Sequence, residues 1–287
     1  MLLDLFSSQA AFVPGRGTGS VEDAARAVAL TEALVCETHS ATLLTATLTS
    51  GINALADKTR RIGPTEIKAF APGDLSRLAT LQSLMLEANA GLEEPIFLGQ
   101  FLDSTATGNE LLTYYLRDAE TLGASRAAVL HKTGLADAWR EICHLAILAV
   151  RELDGLIAPD LPEIYVQNAR VLTALLAGAK NGWRPCIDSH GQLHLPPLPQ
   201  QRRWPRRALL QMCKVALRGV TVDAFVRDVS AGGLGLDQMP PVSRGDLMNI
   251  ELVCGRTLKG IVAWSAGAKA GLRFTSELKP NDPLLVV

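Results

Sequence analysis

The sequence of 287 residues lacks any run of about 18 consecutive apolar residues, so it predicts no transmembrane helix. Its N-terminal segment, MLLDLFSSQAAFVPG, lacks the basic start and the long apolar stretch of a secretory signal. Cysteine is sparse and scattered, and no C-x-x-C pair occurs; the five cysteines are Cys36, Cys143, Cys186, Cys213 and Cys254. We therefore expect reduced thiols in a cytoplasmic protein.

Catalytic signatures are also missing. The phosphate-binding loop G-x-x-x-x-G-K-[ST], the dinucleotide fingerprint G-x-G-x-x-G and the nucleophile elbow G-x-S-x-G do not occur. No Ser/His/Asp or Cys/His set suggests itself by spacing. We expect a protein that is not an enzyme and that carries no cofactor.

Two patterns could hold a metal, and both are incomplete. Glu141 and His144 form a single E-x-x-H, whereas di-iron helical bundles use this motif in pairs. Cys186, His190 and His194 are spaced four apart, but they lie in a proline-rich stretch and a fourth zinc ligand is not evident. We predict no metal site.

What the sequence does contain is an ordinary globular composition with an uneven charge. Hydrophobic residues make up 48% and charged residues 20% of the chain. From residue 200 onward, 13 Lys and Arg face seven Asp and Glu, a net charge of +6, while the preceding part has a net charge of -7. A basic C-terminal third is suited to an anionic ligand, although charge often differs between domains.

Hydrophobic periodicity divides the chain. After a leader at residues 1–19, residues 20–182 show helical spacing, which predicts an all-α bundle of several antiparallel helices. We expect one long helix or two over 21–57, a helix over about 75–92, short helices at 95–102 and 109–121, another from residue 125, and long helices over 135–156 and about 160–180. Gly63-Pro64 indicates a loop.

The pattern changes at Trp183. Residues 183–201 are rich in proline and read as a linker, with a small hairpin around 188–191. Residues 202–287 then alternate with a period of two in six segments: LLQMCKVAL, VTVDAFVRDV, GLGLDQM, DLMNIELV, TLKGIVAWSA and AGLRFTSE. Six short antiparallel strands in such a span predict a small closed barrel, which leaves no open edge. The fold class is therefore a two-domain protein with an all-α N-terminal bundle and an all-β six-stranded barrel.

An arginine cluster precedes the first predicted strand. Its members are Arg202, Arg203, Arg206 and Arg207, with Trp204 and Pro205 between them. Four neighbouring guanidinium groups repel one another, so a neutralising partner is expected. Arginine binds phosphate and guanine edges in a bidentate way and stacks on flat rings. By itself the cluster also fits a solvated linker end or a nonspecific nucleic-acid patch.

A second motif, D-x-S-x-x-G, ends the next strand. Asp228 could accept hydrogen bonds from the N–H edge of a guanine, and Ser230 could donate or accept beside it. Gly232 and Gly233 permit positive φ and a close approach of the backbone to a ligand. Alone, this motif favours a capped turn over a binding site. Together with the arginines it suits an anionic guanine nucleotide.

The order R-x-x-x-R, strand, D-x-S-x-x-G resembles the PilZ family of cyclic di-GMP receptors. VRDVSAGGLGL and GIVAWSAGAKAGLRF are similar to the central and closing strands of that family, and the resemblance covers about residues 200–280. It implies a six-stranded barrel with the arginine loop folded over bound cyclic di-GMP. The R-x-x-x-R pair reads as Arg202/Arg206 or Arg203/Arg207, and the aromatic-Pro-Arg order favours the first frame.

The resemblance also implies individual roles. The arginines would bind phosphates and guanine faces, Asp228 and Ser230 a guanine edge, and Gly233 would keep the pocket floor clear, with Gly232 beside it. Trp204 would stack on a base or pack against the barrel. The family implies control of motility, exopolysaccharide production or biofilm formation.

Three functional hypotheses follow. The first is a cyclic di-GMP effector that relays the second messenger to a protein partner through the helical domain. The second is a ligand-free interaction protein, whose bundle serves as a docking or homo-oligomerisation platform. The third and least favoured is a nucleic-acid binder that uses the arginine cluster.

Overall fold

The structure is a computed structural model that describes residues 21–55, 62–89, 92–122, 126–157, 163–199 and 204–285. The predicted leader at residues 1–19 lies outside these residues. The chain forms two compact units. Of the described residues, the helical unit contains 21–24, 41–55, 62–72, 94–122, 126–157 and 163–199, and the barrel unit contains 25–40, 73–89, 92–93 and 204–285.

The described residues of the N-terminal part form seven helices, which confirms the all-α prediction. They are α1 (Val21–Leu55), α2 (Pro64–Lys68), α3 (Ser76–Ala88), α4 (Ile96–Leu122), α5 (Arg126–Thr133), α6 (Leu135–Ile157) and α7 (Glu163–Lys180). The expected long helix over 21–57 is a single helix. The Gly63-Pro64 segment was expected to be a loop, but Pro64 opens the short helix α2, since proline fits the first turn of a helix. None of these helices is long and apolar enough to span a membrane.

Helix α1 is buried on every side in the helical unit, where residues 41–55 lie almost wholly out of solvent. This explains its lack of a polar face, because a helix buried all round needs none. Its interior hydroxyl groups bond back to the preceding turn: Thr45 donates to the carbonyl of Ala41 at 3.0 Å and Thr49 to that of Thr45 at 2.8 Å. Burial of these polar side chains is therefore compensated within the helix.

The prediction of two short helices at 95–102 and 109–121 was wrong, because α4 runs unbroken from Ile96 to Leu122. Gly108 lies between the two predicted segments and in the middle of this helix. A β-carbon there would be 2.4 Å from Cδ1 of Ile142 and 3.2 Å from the Trp139 ring. Glycine at 108 thus allows α4 and α6 to pack closely, and this contact offsets its low helix propensity.

The proline-rich segment after α7 makes the predicted small hairpin. Ile187 pairs with Leu193 in an antiparallel bridge. The Asp188 carboxylate accepts the backbone N–H groups of His190 and Gln192, both at 2.9 Å, and so closes the turn. These hydrogen bonds lower the pKa of the Asp188 carboxyl.

The barrel has the six predicted strands: β1 (Arg207–Leu217), β2 (Val220–Ser230), β3 (Gly233–Asp237), β4 (Leu247–Leu252), β5 (Thr257–Ala266) and β6 (Lys269–Phe274). All neighbours are antiparallel, and the closed order is β1-β2-β3-β6-β5-β4. Alternate residues point inward and form an apolar core that includes Val215, Ala224, Val226, Leu234, Leu236, Met248, Ile250 and Leu272. The period of two in the sequence reflects the barrel, because successive side chains of each strand point alternately to its inside and its outside.

Candidate functional site

The D-x-S-x-x-G motif forms the tight hairpin between β2 and β3. Ser230 pairs with Gly233 across the hairpin, and Ala231 and Gly232 make the turn. The hydroxyl of Ser230 donates to the carbonyl of Gly233 at 3.1 Å. Ser230 is buried, so its first role in this structure is to close the turn rather than to face solvent.

Each glycine of the turn makes room for a different neighbour. A β-carbon at Gly233 would lie 2.0 Å from the carbonyl oxygen of Leu272 on β6. A β-carbon at Gly232 would lie 2.2 Å from Cζ3 of Trp204. Gly233 therefore allows β3 to pair closely with β6, whereas Gly232 lets an indole ring rest on the turn.

Asp228 lies between two arginines on the outer face of the barrel. Nη1 of Arg206 donates to Oδ1 of Asp228 at 2.7 Å, and Nε of Arg227 donates to Oδ2 at 2.8 Å. Gly235 is opposite Asp228 on β3, and a β-carbon there would lie 2.8 Å from Oδ2 of Asp228. The absence of a side chain at Gly235 thus lets the carboxylate lie over β3.

Arg227 extends this arrangement to a second carboxylate. Its Nη1 donates to Oδ1 of Asp237 at 2.8 Å. Its hydrogen bond with Asp228 is the main reason that the pKa of Arg227 is raised. The two guanidinium groups of Arg206 and Arg227 and the two carboxylates of Asp228 and Asp237 balance in charge, and each ion pair is a hydrogen-bonded contact.

Arg206 and Arg207 differ in their surroundings. Arg207 begins β1 opposite Val229, a core residue, and Nη1 of Arg207 is buried without a hydrogen-bond partner among the residues that the structure describes. Burial lowers the pKa of this guanidinium. The structure therefore brings Arg206, and not Arg207, to Asp228. The other two arginines of the predicted site, Arg202 and Arg203, lie outside the described residues.

Trp204 packs on the barrel and also bonds to a helix. Its indole covers Gly232, and its Nε1–H donates to Oε1 of Glu37 on α1 at 2.5 Å. Glu37 and its second partner Arg77, on α3, belong to the barrel unit together with the strands. Sequence reasoning missed Glu37, Arg77, Arg227, Gly235 and Asp237. Arg227 and Gly235 adjoin the predicted motif, but no local pattern connects Glu37 to a residue 167 positions away.

The residues of the two metal patterns all lie in the helical unit. No group of three or more His, Cys, Asp or Glu within the described part of the chain could hold a metal ion. His144 of the E-x-x-H lies 3.1 Å from Nζ of Lys180, measured at its Nδ1. Cys186 is buried, and its thiol pKa is raised by that burial.

Comparison with known proteins identifies the barrel. Residues 200–285 match the family model for the PilZ domain. No curated protein matches the chain significantly. The matched range contains both the arginine cluster and the hairpin motif, and the closed six-stranded barrel agrees with it. The C-terminal third of this chain, residues 200–285, is therefore a PilZ domain.

Proposed function

We propose that this protein is a cyclic di-GMP effector that is not an enzyme and that passes the level of the second messenger to a protein partner. The PilZ domain at residues 200–285 supports this proposal, because the PilZ family implies a receptor for cyclic di-GMP. The observation that carries the proposal is the contact between Arg206 and Asp228. It joins the two halves of the ligand motif, the arginine loop and the D-x-S-x-x-G hairpin, at one place on the barrel surface.

The chemistry of this contact suits a guanine nucleotide. A carboxylate offers about four lone-pair positions, and the two arginines use one position on each oxygen of Asp228. The remaining positions can accept the N1–H and N2–H groups of a guanine. Arg206 is about one-third exposed in its side chain, so it can also turn to a phosphate or to the face of a base.

The other arginines of the cluster can attract an anionic ligand, because the four charged residues at the centre of the candidate site balance. Arg206, Arg227, Asp228 and Asp237 are together electroneutral. Attraction of a dianionic ligand must then come from other cations of the loop, and Arg202, Arg203 and Arg207 are the candidates. We therefore keep Ser230, Gly232 and Gly233 as residues that shape the turn and assign phosphate binding to the arginines.

In this proposal the helical part of the chain transmits the signal to the protein partner. In this proposal, nucleotide binding changes the arginine loop, and the helical part carries the surface that a partner recognises. The proposed setting is bacterial and cytoplasmic, with motility, exopolysaccharide production or biofilm formation as the regulated process.

Calorimetric titration of the full chain with cyclic di-GMP, with GTP as the comparison ligand, tests the proposal. We expect selective binding by the wild type and a loss of about tenfold or more in affinity for Arg206→Ala and for Asp228→Ala. Arg218→Ala is a matched control, because Arg218 forms a surface ion pair with Asp246 at 2.6 Å on the same barrel.

Each other outcome has a definite meaning. Unchanged affinity in both site variants would exclude the proposed site. No binding by the folded wild type would overturn the receptor proposal and favour a ligand-free interaction or oligomerisation protein. Nonselective binding that weakens steeply with salt would instead favour a nucleic-acid binder.

A further inference from the structure

Glu37 is a buried carboxylate that joins a helix to the arginine loop. Only 5% of its surface is exposed. Its Oε1 accepts two hydrogen bonds, one from Nε of Arg77 at 2.7 Å and one from Nε1 of Trp204 at 2.5 Å. All three residues lie in the barrel unit, on α1, α3 and the loop before β1.

The same contacts lead back to the hairpin turn. Nη1 of Arg77 donates to the carbonyl of Leu278 at 2.6 Å, and the N–H of Leu278 donates to the carbonyl of Ala231 at 2.9 Å. Ala231 is the turn residue next to Gly232, and Gly232 is covered by Trp204. A closed chain of contacts therefore runs from the turn through Leu278, Arg77, Glu37 and Trp204 and returns to the turn.

This chain of contacts has a physical reason to hold its shape. A buried carboxylate without donors is costly, and hydrogen bonds to charged groups contribute more than neutral ones. Glu37 thus requires its donors, and the partly buried indole of Trp204 places its N–H against this acceptor. Moving Trp204 away from the turn would disrupt both requirements at once.

We propose that Glu37 is a positioning residue for the loop at residues 204–207. It holds Trp204 on the hairpin turn and thereby keeps Arg206 beside Asp228. The loop is then ordered before a ligand arrives, so binding costs less conformational entropy. The consequence for nucleotide affinity rests on the proposed function, whereas the ordering of the loop does not. Because coupling between sites is reciprocal, a nucleotide that engages the loop also stabilises α1 and α3 where they contact it.

A double-mutant cycle on the full chain tests this role. Glu37→Ala removes the acceptor, and Trp204→Phe keeps an aromatic ring over Gly232 but removes the N–H donor. We expect each single change to weaken cyclic di-GMP binding by about tenfold relative to the wild type. Because both changes remove the same hydrogen bond, the double variant should also bind about tenfold more weakly than the wild type, and not about a hundredfold more weakly. Glu37→Gln keeps an acceptor oxygen and should lose less affinity than Glu37→Ala. Glu87→Ala, an exposed change on α3, should leave the affinity unchanged.

A second measurement needs no ligand. Hydrogen exchange followed by mass spectrometry should show faster exchange of the peptide at 204–210 in Glu37→Ala than in the wild type or in Glu87→Ala. Thermal unfolding establishes that each variant is folded. Where Glu37→Ala does not fold, Trp204→Phe, which removes the donor of the same hydrogen bond, takes its place in the exchange experiment and in the affinity measurement.

The two measurements separate the two proposals. If the wild type does not bind cyclic di-GMP, the proposed function fails, and the exchange experiment alone decides whether Glu37 orders the loop. Additive effects in the cycle, unchanged affinity, or tighter binding by Glu37→Ala would overturn the positioning role. Unchanged exchange at 204–210 would overturn it as well.

Discussion

The indole of Trp204 lies directly on Gly232, so closely that a β-carbon at position 232 would be 2.2 Å from one ring atom and 2.5 Å from the next. One residue comes from the arginine loop and the other from the D-x-S-x-x-G hairpin. The contact between the loop and the hairpin therefore depends on a glycine within the hairpin motif, and substitution at this position should affect the stability of the loop more than that of the barrel.

Gly232→Ala should displace Trp204 and leave the strands in place. The ring is a movable side chain, so we expect a modest loss in the free energy of unfolding, about 1 kcal/mol, together with a red-shifted contribution of Trp204 to the fluorescence. Denaturant unfolding measures the loss in the free energy of unfolding. The fluorescence spectrum of Gly232→Ala minus that of the Gly232→Ala/Trp204→Phe double variant measures the contribution of Trp204. Gly73→Ala is the control, because nothing lies within 4 Å of a β-carbon there. An unshifted spectrum would show that the ring does not lie on the turn.

Gly233→Ala should destabilise the barrel more than Gly232→Ala. A β-carbon at 233 would meet the backbone carbonyl of Leu272 at 2.0 Å, and backbone paired in a barrel cannot move as a side chain can. We expect a loss of about 3 kcal/mol in the free energy of unfolding, the upper end for overpacking. Denaturant unfolding monitored by circular dichroism measures it. A loss equal to that of Gly232→Ala would contradict the close pairing of β3 with β6.

The thiols should react very unequally. Cys254 is exposed, whereas Cys36, Cys143, Cys186 and Cys213 are buried. Burial raises the pKa of Cys143 to about 12 and that of Cys213 to about 11, so little thiolate forms at neutral pH. Titration with an aromatic disulfide reagent should label one thiol quickly in the native protein and five in denaturant. Cys254→Ser should abolish the fast phase, and two fast thiols in the wild type would be incompatible with the structure.

His39 should make the protein less stable in mild acid. Burial lowers its pKa from 6.5 to about 4, so the folded chain resists a proton that the unfolded chain accepts. The stability associated with neutral His39 is present above pH 6.5 and is lost as the pH falls toward about 4, at most about 3 kcal/mol. Urea unfolding of wild type and His39→Leu between pH 7 and pH 5 isolates this contribution, because the other titrating groups are common to both. Parallel pH profiles would show that His39 is not buried as described.

Local sequence patterns predicted much of the fold. The period of two predicted the six strands, and the helical period predicted α1, α3, α5, α6 and α7. The D-x-S-x-x-G motif lies at a hairpin, as a sequence rich in small turn residues favours. The prediction of two short helices in place of α4 was wrong, and Gly108, in the middle of α4, lies where the helix packs closely on Ile142 and Trp139 of α6.

The sequence predicted only some of the residues of the candidate site. Arg206 and Asp228 are both in the predicted set and do meet in the structure. Arg227 was read as an ordinary strand residue, yet it bridges Asp228 and Asp237. Strand register decides this, because a bulge between Val226 and Asp228 sets which side chains share the outer face.

By itself, the sequence determined the two kinds of secondary structure, the closed barrel, the arginine cluster and the D-x-S-x-x-G motif, because each depends on residues close together in the chain. Only the tertiary structure decided that parts of α1 and α3 belong to the same compact unit as the barrel, and that Glu37 accepts the indole N–H of Trp204. The reason is physical. Periodicity and turn chemistry act over a few residues, whereas the partner of a buried polar group is selected by packing among elements far apart in the chain.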